Sequence, residues 1–141
     1  MKVVVLAAGK LRDAWVRDGC EEYARRIRRH LPLEIVETRD SGALAARVPE
    51  RFHLVALDER GREPTSAELA ERLSGWMRGG SPGVAFLVGD ADGLPPPLVA
   101  RAHEKLALSR LTLPHRLARL LLLEQLYRAL SIVRGEPYHR A

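Results

Sequence analysis

The chain ends on Pro137-Tyr138-His139-Arg140, which sets a phenol, an imidazole and a guanidinium side by side. Chain ends are ordinarily frayed and polar. An end so rich in ionisable and hydrogen-bonding groups has somewhere specific to sit. His139, close to the terminus, has no evident packing role. A second group of interest is the loop Gly89-Asp90-Ala91-Asp92-Gly93, whose glycines permit tight turns and close approach of backbone to a ligand. A third is the run Leu108-Ser109-Arg110-Leu111-Thr112-Leu113.

Several kinds of chemistry have no support. His30, His53, His103, His115 and His139 show neither H-x-x-x-H nor H-E-x-x-H spacing, so no metal is expected. No G-x-S-x-G elbow and no plausible Cys-His pair occurs. The glycine loop lacks a following Gly-Lys-Ser/Thr, so it is not a P-loop, and Gly9-Lys10 after the first strand has no glycine partners for a dinucleotide fingerprint. A nucleotide-binding enzyme of the flavodoxin type would need phosphate loops that this sequence lacks. Asp90 and Asp92 could be paired carboxylates, although acids in a glycine loop are commonly solvated turn formers.

These residues need elements to position them. Lys2 to Ala8 is a continuous apolar run, as a buried parallel strand requires. Asp13 to His30 is expected to be helical, with Trp15, Val16, Tyr23 and Ile27 inward and Arg25, Arg26, Arg28 and Arg29 outward. Leu33 to Thr38 is a second strand, Ser41 to Arg51 a short weak helix, and His53 to Asp58 a third strand ending in the turn Glu59-Arg60-Gly61. Thr65 and Glu68 form a capping box that opens a helix to about Met77. Val84 to Val88 is a fourth strand, Pro96 to Lys105 a helix, and Leu106 to Leu113 a fifth strand. The alternation predicts one domain, residues 1–141, built on a parallel sheet with helices on both faces. In such sheets ligands bind beyond the carboxyl ends of the strands, which is where the loops after Leu57 and Val88 and around Ser109 to Thr112 lie.

The terminal helix has Thr112 as a cap, Pro114 in its first turn and Gly135 just past its end. Glu124, Arg128 and Ser131 share a narrow polar stripe, while Leu121, Leu122, Leu123, Leu126, Leu130, Ile132 and Val133 spread over most of the remaining arc. A helix packed on one sheet needs an apolar stripe of only about 100°. The surplus fits either a helix surrounded within one monomer or a homodimer interface, and the interface is the expectation.

The chain of 141 residues is long enough for a core without staples. Its single Cys20 allows no internal disulfide, which suits a reducing cytosol. The run VVVLAAG is too short to span a membrane and lacks a signal-peptide layout, so a cytoplasmic protein is expected. Lys plus Arg number 23 against 18 Asp plus Glu, and the excess is almost all arginine. Arginine forks fit phosphates and stack on bases, as in nucleic-acid binders, although a high-GC genome produces the same bias.

Strand LVALDERG (54–61), loop FLVGDADGL (86–94), segment LSRLTLPHRLARLLLLEQLYRALSI (108–132) and tail PYHRA (137–141) together resemble the RlmH family of ribosomal RNA methyltransferases. The opening segment, with Gly9 and Trp15 ahead of Glu22-Tyr23, is similar too. The resemblance implies a small SPOUT-class homodimer with a trefoil knot near the carboxyl end, a rare exception to normal connectivity. It further implies S-adenosylmethionine as cofactor and N3 of a pseudouridine in helix 69 of 23S rRNA, within the assembled 70S ribosome, as target. Leu57, Gly89 and the run Leu108, Ser109, Arg110, Leu111, Thr112 and Leu113 would hold the cofactor. Asp90 departs from relatives, which usually carry a second glycine there; its carboxylate could act on the sulfonium or restrict the loop. The N3 proton is weakly acidic and must be lost before or during attack, which calls for a proton acceptor or donors to the flanking carbonyls. Tyr138, His139 and Arg140 are the expected catalytic residues, reaching across the dimer. His139 would be the base or orienting group and Arg140 a phosphate or carbonyl contact. Removing the tail should then spare the fold. The alternative from another class is a catalytically silent RNA- or ribosome-binding homodimer of the same fold.

Overall fold

Five short apolar runs form one parallel sheet. The structure, a computed structural model, describes residues 1–140, the side chain of Arg140 excepted. The strands are β1 (Lys2–Ala8), β2 (Leu33–Thr38), β3 (His53–Arg62), β4 (Gly83–Val88) and β5 (Glu104–Leu106). They lie in the order β2-β1-β4-β3-β5, every pairing parallel. β1 and β4 are central and buried on both faces, which explains why their sequences are continuously apolar rather than alternating.

The two faces are covered unequally. On one lie helices α1 (Ala14–Arg28), α2 (Ser66–Arg78) and α4 (His115–Arg134). Val16, Cys20, Ala24 and Ile27 of α1, Leu69 and Leu73 of α2, and Leu122, Leu126 and Leu130 of α4 meet Val3, Val5, Val55 and Phe86 there. The opposite face, carrying Val4, Leu6, Leu54 and Leu87, is covered by Leu44 and by Leu98 of the six-residue helix α3 (Pro96–Arg101). Two 3-10 turns, Ser41–Ala43 and Ala45–Arg47, take the place of the weak helix expected between Ser41 and Arg51.

The expected capping box is formed: Glu68 N–H donates to Thr65 Oγ1 at 3.1 Å, and Thr65 N–H to Glu68 Oε1 at 2.8 Å. The start of α4 differs from expectation. Pro114 is its cap, with no side-chain acceptor, because the Thr112 hydroxyl donates to Glu59 Oε2 at 3.1 Å instead. Gly135 ends α4 as expected. Trp15, expected inward, is 62% exposed, since the inward stripe of α1 runs through Val16, Cys20, Ala24 and Ile27.

The broad apolar arc of α4 is resolved within the protomer. α4 lies between α1 and α2 and above the sheet, so Leu122, Leu123, Leu126 and Leu130 are all buried, each worth about 1.5–3 kcal/mol of transfer free energy. The expectation that this arc is chiefly a dimer surface is therefore corrected. Only Leu121 (38%) and Val133 (39%) remain exposed among its large apolar side chains. The polar stripe is not solvent-facing either: Ser131 is buried, and Glu124 pairs with Arg128 at 2.9 Å beneath the carboxyl-terminal segment.

Candidate cofactor cavity and carboxyl-terminal tail

The carboxyl ends of β3, β4 and β5 open onto a cavity of about 780 Å³. Its first wall comes from an interruption in β3. Leu57 and Arg62 both align with Leu106 of β5, so residues 58–61 are extruded from the ladder. Asp58, Glu59 and Arg60 thereby face the cavity. Gly61 is required at the pinch, because a Cβ there would stand 2.6 Å from the carbonyl carbon of Lys105.

The second wall is the loop after β4. Gly89 packs so tightly that an added Cβ would lie 2.8 Å from the carbonyl carbon of Gly93. Asp90, itself part of the lining, fixes this loop: its Oδ2 accepts from Ser41 N–H at 3.3 Å, its Oδ1 from Asp92 N–H at 3.0 Å. In return Asp90 N–H donates to the Ser41 hydroxyl at 3.2 Å. The carboxylate is thus spent on backbone donors and ties the loop to the turn after β2.

The third wall corrects the expected fifth strand. β5 is only Glu104–Leu106, because Ala107 N–H donates to Arg62 O and the chain then leaves the sheet. Residues 107–114 run as irregular backbone around the cavity. Leu57, Gly89, Leu108, Ser109, Leu111, Thr112 and Leu113 all line it, as do His115 and Ala118 of α4. Arg110 is not among the lining residues and is exposed. The Thr112–Glu59 hydrogen bond joins the first and third walls.

A volume within the 300–1,000 Å³ usual for small-molecule sites, leucine walls and loop backbone donors suit a nucleoside with a charged side arm. The donor set therefore fits S-adenosylmethionine, with apolar walls for adenine and loop backbone for its polar edge.

The tail lies elsewhere. Pro137–Arg140 forms a 3-10 turn folded back on α4. The Tyr138 hydroxyl donates to Glu124 Oε2 at 3.1 Å and shares a 2.9 Å hydrogen bond with the Tyr23 hydroxyl of α1. Its ring meets Tyr127 edge-on at 4.7 Å and lies 5.0 Å from the Arg128 guanidinium carbon. Burial, then the Tyr23 hydroxyl and the Glu124 carboxylate, push the phenol well above the usual tyrosine range. Tyr138 is a fixed neutral donor, not a base. His139 is half-buried, with Nδ1 3.5 Å from the Ser131 hydroxyl. The Arg140 side chain lies outside the described residues.

Along α4, Ser131 stands thirteen residues beyond Ala118, which separates His139 from the cavity of its own protomer by roughly 20 Å of helix. The tail and the cavity are not brought together within one chain.

Sequence reasoning missed Arg119. It is 2% exposed on α4; Nη1 pairs with Glu37 of β2 and Nη2 donates to Gly9 O at 2.9 Å. A lone arginine within an otherwise apolar helical arc was the only signal.

The family model described as "Predicted SPOUT methyltransferase" matches residues 1–139. A protein of Anaeromyxobacter sp. (strain K) named ribosomal RNA large subunit methyltransferase H is 48% identical, covering 99% of this chain and 100% of its own. One of the same name from Cupriavidus metallidurans is 45% identical, with 100% of both chains covered. Among solved structures, TrmJ from Z. mobilis ZM4 shares the fold, with a TM-score of 0.55 at 16% identity over 92% of this chain and 70% of that one. No helix among the described residues is long and apolar enough to cross a membrane.

Proposed function

The chain belongs to the SPOUT methyltransferase family, and from that premise we propose that it methylates large-subunit rRNA with S-adenosylmethionine. The finer reading is that the acceptor is N3 of a pseudouridine in helix 69 of 23S rRNA, within the assembled ribosome. The observation that carries the methyltransferase reading is the convergence of three loops, far apart in sequence, on one cavity that fits the cofactor. The trefoil knot, the single-domain organisation and a cytoplasmic location belong to the same reading.

When bound, S-adenosylmethionine supplies an electrophilic methyl group. Leu57, Leu108, Leu111 and Leu113 exclude water from around it. The loop from Gly89, held by Asp90 and Ser41, keeps its backbone in place for the cofactor's polar edge. The nucleophilic nitrogen must still lose its proton. Of the acids that line the cavity, Asp90 accepts two backbone N–H groups, Asp58 accepts from Arg60 N–H and Glu59 from the Thr112 hydroxyl.

His139 is the proton acceptor on this reading. Because it lies roughly 20 Å of helix from its own cavity, it acts across a homodimer, where His139 of the partner subunit reaches this protomer's cofactor. Tyr138 anchors the turn that carries His139 to α4 and α1. Calorimetric titration with S-adenosylmethionine tests the cofactor assignment. Saturable binding of one molecule per cavity supports it, and the absence of saturable heat would favour the silent RNA-binding dimer.

A further inference from the structure

A second cavity, of about 250 Å³, lies beside the first and shares His115 with it. It opens between the amino-terminal ends of α1 and α4, helices of 15 and 20 residues. Its lining is strongly basic: Lys10, Arg12, Arg116 and Arg119, against the single carboxylate of Asp13. Asp13 is held by Arg116 at 2.9 Å, and Glu37 by Arg119. Lys10 and Arg12 are exposed and have no ion-pair partner among the described residues.

Arg119 is the most deeply buried of these cations. Its Nη1 and Nη2 are hydrogen-bonded, but Nε has no partner among the described residues. A buried charged donor without an acceptor is costly, so the surroundings of this guanidinium favour a further acceptor. An oxyanion is the complement of this lining, which gathers four cationic side chains where two helices begin, and helix amino-terminal ends favour negative charge. The adjacent cavity takes the cofactor on the reading above, so the target base must approach its methyl group from nearby. An anion held one residue's width away, with two free cations at the rim, is then the phosphodiester of a bound strand.

We propose that this basic cavity between the amino-terminal ends of α1 and α4 holds a backbone phosphate of the RNA substrate, setting the register of the target nucleotide over the cofactor. The inference rests on the rRNA methyltransferase reading. Lys10 and Arg12 supply attraction at the rim, and Arg119 supplies the fixed contact at depth.

The experiment compares the parent with Lys10→Gln/Arg12→Gln and with Arg29→Gln/Arg47→Gln, an equal loss of charge at exposed positions away from the cavity. Binding to ribosomes from cells lacking the gene is measured across a salt series, and S-adenosylmethionine affinity by calorimetry. The rim pair should weaken ribosome binding by about tenfold and lower the salt slope by about 1–2, while the distant pair changes affinity by less than about threefold. Cofactor affinity should stay at the parental value in both. If the two pairs behave alike, the cavity is not the phosphate site. If the rim pair instead loses cofactor affinity with ribosome binding intact, the anion is the cofactor's carboxylate and the proposal is overturned. A parent that binds no ribosomes overturns the rRNA reading, and the proposal falls with it.

Discussion

The Tyr138 hydroxyl lies 3.1 Å from Glu124 Oε2, so the last turn of the chain is fastened to the middle of its longest helix. The same oxygen meets Tyr23 of α1, and the tail thereby ties two helices together. Removing the tail would therefore take away a contact between two helices, a cost that the expectation of a spared fold did not include. Tyr138→Phe should cost about 1–2 kcal/mol in urea unfolding, as expected when a half-buried carboxylate loses a donor. A loss below the measurement error would show the contact to be energetically idle.

The same phenol gives a pH dependence. Its proton is held more tightly in the folded chain than in the unfolded one. Its contribution is therefore complete below the ordinary tyrosine value of about 10 and is lost as pH rises beyond it. Stability of the parent should decline above about pH 10 more steeply than that of Tyr138→Phe. Parallel curves from chemical denaturation would refute this.

Leu126 and Leu130 are 2% exposed in the single protomer. Leu126→Glu/Leu130→Glu should therefore yield unfolded or aggregated protein, not soluble monomers, because two buried carboxylates without partners outweigh a typical 5–15 kcal/mol of stability. Leu121→Glu, on the exposed ridge of α4, should keep the helical circular-dichroism signal and weaken self-association. Light scattering that finds a folded double variant, or an unchanged dimer for Leu121→Glu, would place the interface elsewhere.

Asp90 is the residue at which this chain departs from the resemblance, and its carboxylate organises the loop rather than facing a ligand unpaired. Asp90→Gly should weaken S-adenosylmethionine binding by about fivefold, roughly the worth of one hydrogen bond, by loosening the loop from Ser41. Equal or tighter binding would mean that the loop needs no such tie.

Gly89→Val is a poor probe of the cofactor cavity, because its Cβ would strike Gly93 whether or not a ligand is present. Ala118→Phe, on the cavity side of α4, is cleaner. It should abolish saturable S-adenosylmethionine binding while shifting the melting temperature by only a few degrees, the scale of about 1 kcal/mol in a domain of this size. Parental affinity in a folded Ala118→Phe protein would remove the cofactor from this cavity.

The strands, α1, α2, Gly135 and the three loops could be read from the sequence because each has a local cause: an apolar run, a capping box, a breaker. β5 could not, since its length is set by where Ala107 leaves Arg62. The arc of α4 was ambiguous because apolar periodicity reports burial without naming the partner, and α1 and α2 proved sufficient. Trp15 follows the same logic, as its apolar type says nothing of which side of α1 faces the sheet. The Arg119–Gly9 and Asp90–Ser41 ties join residues 110 and 49 positions apart, a separation no local pattern encodes.

The most direct test of the central claim is mass spectrometry of the helix 69 fragment of 23S rRNA from cells with and without this gene. The account predicts that the fragment from deleted cells is lighter by one methyl group at the pseudouridine, and that purified protein with S-adenosylmethionine restores it on ribosomes. Identical masses from both strains, with no methyl gained on incubation, would contradict it.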